Sequence, residues 1–381
     1  MYKGNKVEKI QYIKVRKEKG QDLLRLISNK FKKTPLIDKK SKVVRENDFI
    51  LFPIIENKIL IEILVNLINN FDFELISKEK VPNTKYKFKN IEEFLKGEIP
   101  DEYFYLIPKS YDIIGEIAII EFSKYNSKED KEIQSYKISI AKAIASINSK
   151  VRTVYEKISE VKGEFRLRDF NLLYGPNESE TIYKENNCVF KLDIKSTFFT
   201  PRLIAERKRI AAYDIKKSEI IADLFAGVGP FSVQIAKKHD IEIYAFDINP
   251  EAIKYMLENI KLNSLKGSII PCNIDIKCLL KPLNQLGNTL KNKIDRIIMN
   301  FPERSLEFLD VACFLMKNAG GILHIYQFCE KPNPIKNAIS NLKREISNLN
   351  WSLDTIIESK IVKSYSPKSD LVVLDSIIRL N

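Results

Sequence analysis

Two stretches of this sequence hold residue types that could do chemistry together. The first is Asp223-Leu224-Phe225-Ala226-Gly227-Val228-Gly229-Pro230-Phe231, which follows the apolar run Glu219-Ile220-Ile221-Ala222 and precedes the helix-like Ser232 to Lys238. Glycines at 227 and 229 let the backbone approach a ligand closely and take positive φ, which a Cβ would resist. Asp247 stands 20 residues beyond Gly227, at the end of a second apolar run and followed by Ile248, where an acidic side chain accepts hydrogen bonds from the hydroxyls of a ribose. A third run ends in Asn273-Ile274-Asp275, which offers an amide or a carboxylate to an adenine amino group; a solvated loop acid is the plain alternative for Asp275. These features alone serve a nicotinamide dinucleotide as well as S-adenosylmethionine. A dinucleotide site calls for a third glycine three residues past the second, for close helix packing with the pyrophosphate on the helix N-terminus. Ser232 occupies that place, and bulky Pro230-Phe231 follows the second glycine, which favours the cofactor without a pyrophosphate, S-adenosyl-L-methionine.

The second stretch is Asp295-Arg296-Ile297-Ile298-Met299-Asn300-Phe301-Pro302-Glu303. An apolar strand ending in Asn300-x-Pro302 places an amide at the carboxyl edge of a sheet, beside the cofactor's reactive end. Enzymes that methylate ring or exocyclic nitrogens often carry Asn/Asp-Pro-Pro-aromatic there. This chain has Phe301 in place of the first proline and Glu303 in place of the aromatic, so the usual stacking of a base is not expected. On residue type alone, Glu206 beside Arg207 reads as a helix-surface ion pair.

The elements that must position these residues alternate. Apolar runs at 220–224, 242–247, 268–272, 296–300 and 321–328 are separated by helical patterns at 231–238, 250–263 and 306–316, the signature of a doubly wound, mostly parallel α/β sheet. Ahead of it, residues 1–70 read as a small basic α/β module, with strands at 8–15 and 48–55, a helix at 21–31 and a basic loop at 30–45. Residues 80–90 read as a linker. Residues 71–186 read as a middle module with strand character before Phe122, a helix over 128–150 and strands around Tyr174-Gly175-Pro176-Asn177, which leaves 187–381 for the Rossmann-like domain. The net charge is +13, and +9 of it lies in the first 50 residues, where 15 Lys/Arg face 6 Asp/Glu. Such a flank suits a polyanion, nucleic acid above all, or is simply a lysine-rich surface. Lys360-Ile361-Val362-Lys363-Ser364-Tyr365-Ser366-Pro367-Lys368 is a second basic-aromatic segment and reads as an edge hairpin.

The five cysteines form no C-x-x-C pair and the two histidines, His239 and His324, lie far from Cys272 and Cys278, so no metal site is expected. The charged N-terminus and the lack of an apolar run of about 18 residues lead to the expectation of a cytoplasmic protein with no membrane partner.

With these residues in hand, the chain resembles the archaeal and eukaryotic tRNA (guanine-N1)-methyltransferase family that acts at guanosine 37. The resemblance rests on Pro108-Lys109-Ser110-Tyr111-Asp112-Ile113-Ile114-Gly115-Glu116-Ile117-Ala118, Phe198-Phe199-Thr200-Pro201-Arg202-Leu203-Ile204-Ala205-Glu206-Arg207, Phe225 to Phe231 and Asn300-Phe301-Pro302. It implies a monomeric enzyme that methylates N1 of that guanosine. The basic first module would read the outer corner of tRNA and the middle module would cradle the anticodon stem-loop. It further implies Glu206 as general base and Arg166 with Asn300 on the guanine's O6 and N7 side, with Arg168 competing for the arginine's part. Arg202 would shape the methionine pocket, and Phe198, Pro302 and Lys363 would lie near the substrate; Asp223, Phe225, Gly227, Gly229, Asp247, Ile248, Asn273, Asp275 and Asn300 would serve the cofactor. The residue matching Phe198 is often tyrosine in the family and that matching Phe301 often leucine. Wyosine-pathway relatives on the same scaffold, which methylate a tricyclic base or transfer an aminocarboxypropyl arm, are the competing reading; an RNA-binding protein with a dead cofactor fold is the next.

Overall fold

The computed structural model describes residues 8–31, 36–55, 61–62, 64–65, 72–122 and 131–381. Two units pack separately, Met1–Lys89 and Asn90–Asn381. In the first, β1 (Lys9–Arg16), α1 (Gly20–Lys30), β2 (Val44–Glu46), β3 (Phe49–Pro53) and β4 (Phe73–Glu79) build an antiparallel sheet of order β2-β3-β1-β4. Alternation along β1 sends Ile13 and Val15 toward Leu23 and Ile27 of α1, one turn apart on one helix face, and Tyr12 to the other side against Leu51. β4 lies past the expected division at residue 70, yet it pairs along β1 from Lys9 opposite Glu79 to Val15 opposite Phe73. The linker-like stretch at 80–90 coincides with the end of this unit. Residues 32–35 of the basic loop, and 128–130 at the head of the expected middle helix, lie outside the described residues.

The second unit begins with α2 (Ile91–Leu95), capped by Asn90, whose side chain accepts from the amide of Glu93 at 2.8 Å. A four-stranded sheet follows, from β5 (Asp112–Ile114), β6 (Ile117–Ile120), α3 (Lys131–Ile147), β7 (Thr153–Lys157) and β8 (Phe170–Tyr174), with β6 and β7 parallel across the α3 connection. Gly115 turns the β5–β6 hairpin at φ 59°, and a Cβ there would meet Thr181 Oγ1 at 2.2 Å, so no larger residue fits. β9 (Glu180–Glu185) and β10 (Cys188–Asp193) form a hairpin around Asn186-Asn187, both at positive φ, as a tight two-residue turn requires. The expected division at 186/187 falls on this turn.

The rest supplies α4 (Ile204–Ile210), β11 (Ile220–Asp223), α5 (Pro230–Lys238), β12 (Glu242–Asp247), α6 (Pro250–Leu262), β13 (Ser268–Asn273), α7 (Gln285–Leu290), β14 (Arg296–Met299), α8 (Leu309–Leu315), β15 (Gly321–Glu330), α9 (Pro334–Ser347), β16 (Trp351–Ser364) and β17 (Ser369–Leu380). The sheet order is β13-β12-β11-β14-β15-β17-β16, parallel through β15 and antiparallel in the final hairpin. Helices cover both faces, which is why the central strands read as unbroken apolar runs. Ile297 and Met299 pack with α8 and α9, and Ile298 with Ile210 of α4 and Ile235 of α5. Helix α9 goes beyond the alternation read from the sequence. The edge hairpin read at 360–368 is the β16–β17 turn. β10 is held by α6 through Asn259 and Asn263, whose carboxamides take both N–H and C=O of Lys191 and Val189 at 2.7 to 3.1 Å, as a neighbouring strand would. No helix among the described residues is long and apolar enough to cross a membrane.

Candidate active site

The order of strands reverses direction between β11 and β14, and ligands in open α/β sheets sit at the carboxyl edge beside such a switch point. A cavity of about 1310 Å³ opens there, walled by the β11–α5 turn, the ends of β12 and β14, the 158–168 loop and the residues around 198–207. Gly227 (φ 56°) turns its N–H onto Asp247 Oδ2 at 2.7 Å, and Asn249 N donates to Asp247 Oδ1 at 2.9 Å. Both oxygens are thus anchored by backbone, and burial raises the pKa of this carboxyl. Phe225, Gly227, Asp247, Ile248 and Asp275 all line the cavity, while Asp275 also caps the following turn through Lys277 N at 3.0 Å.

Three residues expected at the cofactor do not line it. Gly229 (φ 85°) begins α5, and a Cβ there would stand 2.9 Å from Met256 Cγ, so it is a packing glycine. Asp223 is fully buried behind the turn, accepts from Ser232 Oγ at 2.8 Å and leaves Oδ1 without a partner; burial pushes its carboxyl up to about 7. Asn273 braces the end of β12 by donating to the carbonyls of Asp247 and Ile248 at 3.0 and 3.1 Å.

On the facing wall, Arg166 sits at φ 57° in a tight turn and sends its guanidinium between the rings of Phe198 and Phe301, 4.8 and 5.0 Å from their centroids. Glu303 grips it with two parallel bonds of 2.7 and 3.0 Å. Burial lowers the pKa of Arg166, against the pull of Glu303. Arg166 Nε and Asn300 Oδ1 are both shielded from solvent without a hydrogen-bond partner. Phe301 packs edge-on against Phe225, so this wall touches the cofactor turn directly. Pro302 also lines the cavity.

A third group is cationic. Lys157, Arg168, Arg202 and Lys363 line the cavity, with Arg202 Nε 2.8 Å and Lys157 Nζ 3.7 Å from the carboxylate of Asp112. Burial lowers the pKa of both lysines; Arg168 adds to the effect at Lys157 and Arg202 at Lys363. This cluster was visible in sequence only as separate basic residues, because its members come from three distant segments.

Glu206, implied as general base, lies beside the cavity rather than on its wall. Leu203 and Arg207 form the cavity wall at α4, whereas Glu206 is buried beside it, bonded to Arg209 Nη2 at 2.9 Å, Lys360 Nζ at 2.6 Å and the hydroxyl of Tyr326 at 3.3 Å. The network continues through Arg209 to Asp375, and from Asp375 to His324 Nδ1 at 2.7 Å. Burial pushes Asp375 up, but its bonds from His324, Arg209 and Tyr213 outweigh this and hold it well below the carboxylate range.

Residues 181–354 match the model of the TRM5/TYW2 methyltransferase domain, and residues 91–179 that of the TYW2 N-terminal domain. The tRNA (guanine(37)-N(1))-methyltransferase Trm5b of Pyrococcus abyssi is 33% identical over 339 residues, 89% of this chain and 91% of the relative. This chain belongs to that family. A solved complex of aTrm5 with tRNALeu superimposes with TM-score 0.66 at 30% identity, covering 97% of this chain and 99% of that one. The Methanocaldococcus jannaschii TYW2 structure with AdoMet gives TM-score 0.52 at 26% identity, covering 71% of this chain and all of that one. As a TRM5/TYW2 methyltransferase the chain takes S-adenosylmethionine, and the crevice fits it. The left-handed Gly227 turn, the anchored carboxylate of Asp247 and the apolar Phe225 and Ile248 answer to a nucleoside without a pyrophosphate.

Proposed function

We propose that this enzyme methylates N1 of guanosine 37 in tRNA. The observation that carries the reading is the juxtaposition, in one cavity, of the Gly227–Asp247 crevice with Arg166 and Asn300, each presenting a buried polar atom without a partner. N1 of guanine is a lactam N–H and a poor nucleophile until its proton leaves, whereupon negative charge gathers on O6. A guanidinium answers that charge, since arginine pairs well with O6 and N7 of guanine. Arg166 takes this part rather than Arg168, because its guanidinium is held by Glu303 against the rings of Phe198 and Phe301, in the cavity that Asn300 also lines, while Arg168 joins the lysine cluster. Bound in the crevice, S-adenosylmethionine supplies an electrophilic methyl group.

Glu206 is the base. For this role its carboxylate must leave Lys360 and turn toward the wall that Leu203 and Arg207 now form. Phe198 packs against the extruded guanine, and Lys363 with its neighbours meets the phosphates of the anticodon loop. Extruding the base costs a few kcal/mol, which contacts to the backbone offset. The first unit, residues 1–89, engages the outer corner of tRNA and residues 90–186 the anticodon stem-loop, with the enzyme working as a cytoplasmic monomer.

The match of residues 91–179 to the TYW2 N-terminal domain keeps a second reading in view, transfer of the cofactor's aminocarboxypropyl arm. The Trm5b relative spans 89% of this chain and the TYW2 structure 71%, which favours methyl transfer. The by-product separates the two. Incubation with S-adenosylmethionine and an unmodified tRNA transcript bearing guanosine 37 should yield S-adenosylhomocysteine; no turnover there, with methylthioadenosine released instead on a tRNA carrying 4-demethylwyosine at position 37, would establish arm transfer.

A further inference from the structure

The pair Arg166–Glu303 joins two loops 137 residues apart in sequence. Both loops are pinned. Arg166 stands in a turn closed by Arg166 N to Gly163 O at 3.2 Å and by Lys162 and Leu167, which exchange both backbone bonds at 2.9 and 3.2 Å. A positive φ at an arginine (57° here) is strained, and such strain persists where the surroundings over-determine it, commonly at functional sites. Glu303 stands in a turn closed by Arg304 N to Phe301 O at 2.9 Å. The carbonyl of Pro302 accepts from Phe328 N at 3.1 Å, and Ser305 Oγ donates to Phe301 O at 2.8 Å. A carboxylate on such a platform can set the direction of the arginine it holds.

The grip is end-on: Glu303 takes Nη1 and Nη2 and leaves Nε–H free. That free donor is buried without a partner, as is the Asn300 oxygen three residues before Glu303, and Arg166 Cζ lies 4.8 and 5.0 Å from the ring centroids of Phe198 and Phe301. We infer that Glu303 is a positioning residue, which fixes Arg166 so that its Nε edge faces O6 of the target guanine. The inference rests on the guanosine reading above. It also gives a reason for a carboxylate where related nitrogen methyltransferases carry an aromatic residue: here the ring faces come from Phe198 and Phe301, and residue 303 holds the arginine between them. Glu303 touches neither the base nor the cofactor in this scheme and acts only through Arg166.

The test is a kinetic cycle in the full-length enzyme on a guanosine-37 transcript, using Arg166→Ala, Glu303→Gln, the double variant and Glu303→Asp. Loss of orientation at a reacting centre costs up to about 10²-fold, so Glu303→Gln should lower kcat roughly ten- to hundred-fold with KM nearly unchanged. Its half-maximal pH should move upward, because an ill-placed arginine helps less as the N1 proton leaves. In the Arg166→Ala background Glu303→Gln should cost almost nothing more, and Glu303→Asp should recover part of the rate. A Glu303→Gln enzyme as fast as the wild type, or faster, would overturn the inference while leaving the guanosine reading intact if Arg166→Ala is slow. Additive losses in the double variant, or a uniform loss at every pH, would overturn it too. A wild-type enzyme inactive on this transcript would sink the guanosine reading and the inference with it.

Discussion

Glu206 and Asp223 show how far a residue's type departs from its placement. Glu206 is engaged by two cations, Arg209 and Lys360, and by Tyr326, whose hydroxyl burial keeps protonated. If it removes the N1 proton, Glu206→Gln should lower kcat about 10²- to 10⁴-fold while leaving tRNA affinity within a few-fold, by single-turnover assay and filter binding. A full-rate variant would transfer the base role elsewhere. Asp223 makes a prediction about stability. Burial pushes its folded carboxyl up to about 7, against about 4 for an unfolded aspartate. Between those values the native state keeps a proton that the unfolded chain has lost, so this residue destabilises the fold increasingly as pH rises through the window. Thermal melts of Asp223→Asn against wild type should show the variant gaining as pH goes from about 5 to about 8. A difference independent of pH would contradict the assignment. That Gly227 and Gly229 need positive φ was legible in the sequence, but the sequence could not show that one lines the cavity and the other faces Met256.

At the scale of elements, the site depends on a buried tie between β9 and α4. Arg207 reaches Glu185 at 2.5 and 2.7 Å, Gln234 donates to the same carboxylate at 2.7 Å, and both charged side chains are at most 2% exposed. Removing one partner of such a pair leaves the other charge buried alone, so Glu185→Ala should cost about 3–5 kcal/mol in urea denaturation. Replacing both by apolar residues of similar volume should restore most of that loss, and a loss under about 1 kcal/mol for Glu185→Ala would show the pair to be solvated. The parallel strands were readable because burial on both faces leaves continuous apolar runs. The glycine turn was readable because few residues tolerate its backbone. Pairings between distant segments carry no local signal: Arg166 with Glu303, β10 with Asn259 and Asn263, β4 with β1. For the same reason module limits drawn at 70 and 186 fall where composition changes, while hydrogen bonding carries β4 back to β1 and runs the β9–β10 hairpin through the second limit.

For the whole molecule, charge and cavity bear on one substrate. Of the net charge of +13, +9 lies in the first 50 residues, and Lys157, Arg168, Arg202 and Lys363 line the cavity, the first and third paired with Asp112. Affinity for tRNA should therefore fall linearly in a plot of log K against log salt, and Lys363→Ala should reduce the slope by about 1 while weakening binding to every transcript alike. A flat salt response would remove nucleic acid as the partner. The central claim is narrower, that guanosine 37 receives a methyl group at N1. Methyl-labelled S-adenosylmethionine, supplied with two unmodified transcripts that differ only in guanosine or adenosine at position 37, tests it most directly. After nuclease digestion the account predicts label in 1-methylguanosine from the first transcript and none from the second; equal labelling of both, or label in any other nucleoside, would contradict it.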